Sequence, residues 1–132
     1  MKTNELMIGD WVLLEGTPAK TRGVEIYCSN LYVKTNLTDE WYTSNFVEPI
    51  PLTPEILEKN EFVKGDTMDL GDEIYCVKLF NIHYDNEERQ FWVCIFFESE
   101  YGKEMMDIFR IDYVHELQHA LRLCKVDKEI VL

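Results

Sequence analysis

The run FWVCIFF at residues 91–97 constrains the fold of the second half of the chain. Successive side chains of a β-strand point to opposite faces, so a strand with one wet face alternates apolar and polar residues. Both faces of this run are apolar, the first through Phe91, Val93, Ile95 and Phe97 and the second through Trp92, Cys94 and Phe96. One terminal helix covers one face. We expect the N-terminal part of the chain to cover the other, with a homodimer or another protein as alternatives.

The segments around this run predict an antiparallel sheet with one packed helix. The strand candidates are EIYCVKLFNIHY (73–84), RQFWVCIFFES (89–99) and KEMMDIFRI (103–111). The short connections DNEE and YG are typical of hairpins. Asp112 is expected to cap a helix over residues 113–124, and KEIVL at the end predicts a returning edge strand.

A short helix and a linker are predicted between the two halves, over residues 51–72. In PLTPEILEKNEF, Thr53 is a suitable N-cap, Pro54 suits the first helical position, and Glu55 lies at the positive end of the helix dipole. Asn60 is expected to end the helix in a left-handed conformation.

The first fifty residues predict five short strands separated by turns. These lie in IGDWVLLEG (8–16), TRGVEIYC (21–28), NLYVKTNL (30–37) and EWYTSNFVEPIPL (40–52). Strands this short bury an apolar face by curling into a small barrel. The sequence thus predicts a mainly β protein, with a small β-barrel at 1–50 and an α+β part, an antiparallel meander plus helix, at 73–132.

The segments IGDWV, GVEIY and FVEPI resemble the Src-homology-3-like small barrels of the Tudor and KOW kind over residues 6–50. The resemblance implies binding of peptides, methylated side chains or RNA through aromatic residues on one face. Candidates for that face are Trp11, Tyr27, Tyr32, Trp41 and Tyr42, of which we predict Trp11, Tyr32, Trp41 and Tyr42 as binding residues. Any one of these rings more commonly fills a core.

The whole chain also resembles a family of small bacterial and phage proteins of gut anaerobes. The shared features are the NELMIGDWV start, the PIPLT segment before the first helix and the YVHELQ segment of the last helix. No activity accompanies this resemblance.

HELQH at residues 115–119 matches the H-E-x-x-H zinc motif, in which two histidines bind the metal and the glutamate activates water. On a helical wheel the residues Val114, Leu117, Ala120, Leu121 and Cys124 form one apolar arc. His115 and His119 fall on the opposite side, so we expect them to face solvent.

A third zinc ligand is also missing from the expected positions, since Arg122 and Lys125 stand where one zinc-peptidase family has glycine and histidine. The motif therefore predicts no metal site and no cofactor. A minimal zinc hydrolase using His115, His119 and Glu116 is the minor alternative.

Composition favours a protein partner. The chain has 132 residues, 13 basic and 25 acidic, for a net charge of −12. Nucleic acids are held by clusters of Lys and Arg, and the 13 basic residues of this chain form no such cluster along the sequence. We therefore expect a protein partner with a basic surface and no nucleic acid. The predicted function is a non-catalytic interaction module, with an acidic mimic of nucleic acid as an alternative.

Other features predict a cytoplasmic protein. There is no signal-peptide pattern and no apolar run of about 20 residues that would span a membrane. The four cysteines are far apart along the chain and are expected to be buried free thiols.

The charge distribution predicts that the protein does not bind duplex or single-stranded nucleic acid at physiological salt, about 0.15 M. A gel-shift titration checks this, and micromolar binding would contradict it.

Overall fold

A computed structural model shows a mainly β protein with two antiparallel five-stranded sheets and a C-terminal helix, and it describes residues 6–65 and 72–132. The strands are β1 (Trp11–Leu14), β2 (Thr17–Tyr27), β3 (Asn30–Thr35), β4 (Trp41–Thr43), β5 (Val47–Pro49), β6 (Val63–Lys64), β7 (Glu73–Val77), β8 (Phe80–Asp85), β9 (Gln90–Ser99) and β10 (Gly102–Ile111). The helices are α1 (Pro54–Lys59) and α2 (Val114–Leu123). The predicted fold class is confirmed.

The chain forms two compact units. The first contains the described residues up to Pro51 together with Tyr113–His115, and the second contains Leu52–Asp112 and Glu116–Leu132 in their described parts. Of the predicted linker at 51–72, residues 66–71 lie outside the described residues. Among the described residues, no helix is both long enough and apolar enough to cross a bilayer.

The sheet of the first unit has the strand order β4-β3-β2-β1-β5. The long strand β2 pairs with β1 through Thr17–Lys20 and with β3 through Thr21–Tyr27, with a bulge between Thr21 and Gly23. Bulges bend a strand and increase its twist, so the first half of β2 can pair with β1 while the second half pairs with β3. A 3-10 turn at Ser44–Phe46 connects β4 to β5. No pairing joins β4 to β5 within the described residues, so closure into a barrel stays a prediction.

The core of the first unit comes from the inward positions of these strands. Its buried residues are Leu6, Val12, Leu14, Ala19, Leu31, Val33 and Val47, and Val24 and Tyr42 pack against them. Their period of two along β1 and β3 is the alternation expected of a half-buried sheet. The buried Asp10 supports the turn before β1, because its carboxylate accepts a hydrogen bond from the backbone N–H of Met7 at 2.8 Å.

The sheet of the second unit has the order β10-β9-β8-β7-β6, all antiparallel. The hairpins predicted at DNEE and YG are present. The single strand predicted over 73–84 is wrong, because the chain turns at Lys78 and Leu79 to give β7 and β8. Lys78 has a φ of 53°, a conformation more typical of glycine or asparagine, so the turn carries no sequence signal.

Helix α1 begins and ends where the sequence predicts, but the backbone conformation of Asn60, the residue that follows the helix, differs from the prediction. The side chain of Thr53 accepts a hydrogen bond from the backbone N–H of Ile56 at 3.3 Å, and Pro54 is the first helical residue. Asn60 follows the helix with a φ of −93°, and Glu61, at 65°, takes the left-handed conformation instead. The Asn60 side chain is occupied by hydrogen bonds to the C-terminal segment.

The C-terminal segment is fixed without joining a sheet. The strand predicted for KEIVL is wrong, because residues 124–132 carry no β-pairing. Instead the Asn60 amide donates to the Val131 carbonyl at 2.8 Å and accepts from its N–H at 2.7 Å, while Ile130 is 1% exposed. These two bonds satisfy the backbone groups that a strand partner would otherwise take.

In α2 the predicted apolar arc is buried at Val114, Leu117, Ala120 and Leu121. Its fifth member, Cys124, is exposed because it follows the last helical residue, Leu123. Cys28 is also exposed, in the left-handed turn between β2 and β3. The expectation of four buried thiols therefore holds for Cys94 alone, with Cys76 half-buried.

Asn60→Ala should destabilise the protein by about 1–3 kcal/mol, because the buried Asn60 side chain makes two part-buried hydrogen bonds to the N–H and C=O of Val131 that the variant would lose. Urea denaturation measures the loss. Glu58→Ala, an exposed change in the same helix, is the control and should alter stability by less than about 0.5 kcal/mol. Equal stabilities of the two variants would contradict the anchoring role.

Candidate functional site

The outer face of β2, β3 and β4 collects aromatic side chains. Tyr32 on β3 lies opposite Glu25 on β2, and Trp41 on β4 lies opposite Lys34 on β3. Because Leu31 and Val33 point into the core, the alternation of β3 directs Tyr32 outward. Tyr27, two residues beyond Glu25, shares that face.

These side chains form an open pocket of about 250 Å³, lined by Glu25, Tyr27, Tyr32 and Trp41. Tyr27 is 65% exposed and Trp41 is 44% exposed, so the rings are accessible to a ligand. Three aromatic rings, whose faces are electron-rich, line the pocket together with one carboxylate, which supplies negative charge. That combination suits a cation.

The position of Trp41 depends on a glycine. A Cβ atom on Gly23 would come within 2.8 Å of Cη2 of the indole, so any other residue there would displace the ring. The Nζ of Lys34 lies 5.8 Å from the centre of the same ring. Trp41 thus lies across the sheet, close to the backbone of β2, and is held by its neighbours before any ligand arrives.

Two of the predicted binding residues, Tyr32 and Trp41, line the pocket, and two do not. Tyr42 packs against the core, and its hydroxyl donates to the Glu40 carboxylate at 3.3 Å. Trp11 lies on β1 opposite Lys20, whose Nζ is 5.4 Å from the ring centre. Tyr42 points to the opposite face from its neighbour Trp41, and Trp11 lies on β1, on the other side of β2 from β3 and β4. Glu25 was not predicted, although its place two residues before Tyr27 was a usable signal.

A second cavity of the first unit, about 220 Å³, is lined by Glu15, Gly16, Asn45, Phe46 and Glu48. It has one aromatic ring, Phe46, beside two carboxylates. A single ring provides little selectivity for a cation over water, so the pocket formed by Tyr27, Tyr32 and Trp41 is the better candidate.

The HELQH residues do not form an exposed pair. His115 is 1% exposed, and its ring is stacked on Tyr113 with the centres 5.8 Å apart, so the prediction that it faces solvent is wrong. His119 is half-buried. The carboxylate of Glu116 accepts from the backbone N–H of Asp112 at 2.9 Å. Within residues 6–65 and 72–132, no group of three or more His, Cys, Asp or Glu is arranged to hold a metal ion.

His83 forms a charged cluster in the second unit that sequence reasoning missed. Its Nε2 lies 2.8 Å from Asp72 Oδ2, and its Nδ1 lies 3.0 Å from Asp107 Oδ1. Asp72 also accepts from the backbone N–H of Asn86. An imidazole between two carboxylates forms hydrogen bonds to both when each ring nitrogen donates. Both nitrogens carry a proton only in the protonated ring, so the geometry favours that form.

The pKa values of the cluster shift in the directions that this geometry requires. Burial alone lowers the pKa of His83, but hydrogen bonds to Asp72 and Asp107 outweigh it, so the pKa lies above its usual value. The hydrogen bond from His83 lowers the pKa of Asp72 despite its burial. The cluster ties β8 to β10 and to the residue that precedes β7.

The cluster predicts how stability changes with pH. A raised His83 pKa gives stability that is full below the unfolded value, about 6.5, and is lost as pH rises through the folded value. A lowered Asp72 pKa gives stability that is lost only as pH falls through its folded value. Wild-type stability in urea should thus fall as pH rises from about 6.5 through the raised pKa of His83, and His83→Gln should flatten that slope. An unchanged slope in the variant would contradict the cluster's role.

Comparison of the chain with protein-family models, curated proteins and solved structures gave no match.

Proposed function

We propose that the protein is a non-catalytic interaction module that takes a cationic side chain of a basic protein partner into the pocket formed by Glu25, Tyr27, Tyr32 and Trp41. The observation that carries the proposal is that three rings and one carboxylate line a single accessible pocket.

The pocket suits the end of a side chain. Sites for drug-sized ligands and cofactors commonly enclose about 300–1,000 Å³, and this one is smaller and more open. An ammonium or guanidinium group with its last carbon atoms fits such a space. Each cation–π contact contributes about 0.5–2 kcal/mol, depending on how far the cation is desolvated.

The carboxylate sets a preference among cations. Glu25 accepts hydrogen bonds, so it favours a cation that retains at least one N–H. The rings favour a cation whose charge is spread over methyl groups, because such a cation sheds water more readily. A partly methylated lysine or arginine satisfies both, in keeping with the side chains that the resembling small barrels bind.

The net charge of −12 supports a basic partner. A strongly acidic protein attracts basic surfaces over several Å and accelerates their encounter, an effect that salt weakens. The pocket then supplies short-range selectivity that charge alone lacks.

The test is an NMR titration with short basic peptides that carry one central lysine in unmodified, monomethyl, dimethyl or trimethyl form. We expect shifts at Tyr27, Tyr32 and Trp41, with the dimethyl form strongest. A neutral analogue with a tert-butyl group in place of the trimethylammonium measures the cation's own contribution, and should bind at least about tenfold more weakly than the trimethyl form.

Variants distinguish binding in the pocket from nonspecific binding elsewhere on the protein surface. Trp41→Ala should abolish binding, and Glu25→Gln should reduce the preference for dimethyl over trimethyl lysine. Tyr27→Ala should weaken binding, because it removes one of the three rings of the pocket. Its matched control is Tyr101→Ala, which removes a ring of 84% exposure in the second unit and should bind normally. If the neutral analogue binds as well as the cation, or Trp41→Ala binds unchanged, the proposal is wrong.

A further inference from the structure

The indole ring of Trp41 already has a cation of the protein itself beside it. The Nζ of Lys34 lies 5.8 Å from the centre of the ring, within the roughly 6 Å over which a ring face attracts a cation. The two residues are directly opposite each other on β3 and β4, so both side chains lie on the outer face of the sheet. The pocket is lined by four other side chains besides this lysine or by the indole itself, namely Glu25, Tyr27, Tyr32 and Trp41. Lys34 therefore approaches the indole from outside the pocket.

The position of the lysine follows from the register of three strands. Gly23 on β2, Lys34 on β3 and Trp41 on β4 lie in one row across the sheet. Because Gly23 has no side chain, the indole extends over β2. A Cβ atom on Gly23 would lie 2.8 Å from the indole Cη2 and 3.6 Å from the Cβ of Lys34. The side chain of Lys34 therefore leaves the sheet beside the indole.

The charge of Lys34 is not cancelled by a close carboxylate. The Asp39 carboxylate forms its ion pair with Arg22, at 2.7 Å. The hydrogen bond and charge of Arg22 lower the pKa of Asp39, and the charge of Lys34 adds a smaller effect in the same direction. Within residues 6–65 and 72–132, Lys34 forms no ion pair of its own. Its ammonium group thus remains a full positive charge beside the indole.

A cation that binds in the pocket would be repelled by this charge. A cation held by the Trp41 ring lies within about 6 Å of the ring centre, so about 12 Å at most would separate it from the Lys34 ammonium group. The Debye length at about 0.15 M salt is roughly 8 Å, which weakens the repulsion without removing it. A neutral group of the same shape would not be repelled.

We propose that Lys34 is an internal competitor of the ligand, whose charge beside Trp41 limits how strongly the pocket favours a cation over a neutral group of the same shape. This inference rests on the proposed function, in which the pocket binds a cationic side chain. Two charges on the same face of the sheet then have opposite effects, since Glu25 attracts the cation and Lys34 repels it. Removal of the Lys34 charge should strengthen the binding of cations alone.

The test compares the trimethyllysine peptide with its neutral tert-butyl analogue, each titrated against the wild type and Lys34→Met. Methionine keeps an unbranched apolar side chain and removes the charge. In about 0.02 M salt, where charges at this distance are little screened, the affinity for the trimethyl form should rise about three- to tenfold. The affinity for the tert-butyl form should change by less than about twofold, because a neutral group does not interact with the lost charge. The ratio of the two affinities is the quantity measured, since a change in the shape of the pocket would alter both.

Three further variants are the controls. Lys34→Arg keeps the charge and should keep the wild-type ratio. Lys34→Gln removes the charge through a polar side chain and should match Lys34→Met, so the result does not depend on how methionine packs. Lys20→Met is the matched control, because Lys20 has the same relation to Trp11, with its Nζ 5.4 Å from a ring outside the pocket. It should leave the ratio within about twofold of the wild type.

An unchanged ratio in Lys34→Met, with a wild type that prefers the cation, would overturn the role of Lys34 and leave the proposed function standing. Equal gains for the two peptides would do the same, since they would indicate a change in the shape of the pocket. If neither the wild type nor Lys34→Met binds the trimethyl peptide, the proposed function and this inference both fail.

Discussion

The pairing of Val24 with Val33 across β2 and β3 is the contact on which the candidate site depends. It holds Val33 in the core of the first unit and sets Glu25 opposite Tyr32 on the outside. A shift of one residue would exchange the two faces, placing Glu25 and Tyr32 in the core and valines in solvent. The cost of burying a carboxylate excludes that alternative. The pocket is therefore a consequence of core packing.

In the second unit, the same period of two gives a different result along a single strand. β9 is apolar throughout FWVCIFF, yet Val93 and Cys94 are buried and Ile95 to Phe97 are exposed. The change occurs where the pairing with β8 ends. Burial of a strand is set by the length of its neighbours as well as by its own composition. The His83 cluster lies near this point, since Asp107 is paired with Cys94.

The proposed cation pocket and the acidic charge of the chain would act at different distances. The net charge of −12 attracts a basic partner before contact. The pocket then selects the side chain that binds, through cation–π contacts that are individually weak.

The sequence alone determined the features that depend on neighbouring residues: the strand periodicity, the hairpins at DNEE and YG, and the start of α1 at Thr53 and Pro54. It also brought Tyr32 and Trp41 forward as binding residues. Contacts between distant residues decided the rest. Lys78 turns without a glycine, Asn60 takes the backbone of Val131 that a strand would have used, His115 is buried beside Tyr113, and Glu25 joins the pocket through its pairing with Tyr32. Local signals act over a few residues, whereas burial and pairing are set by partners far away in the sequence.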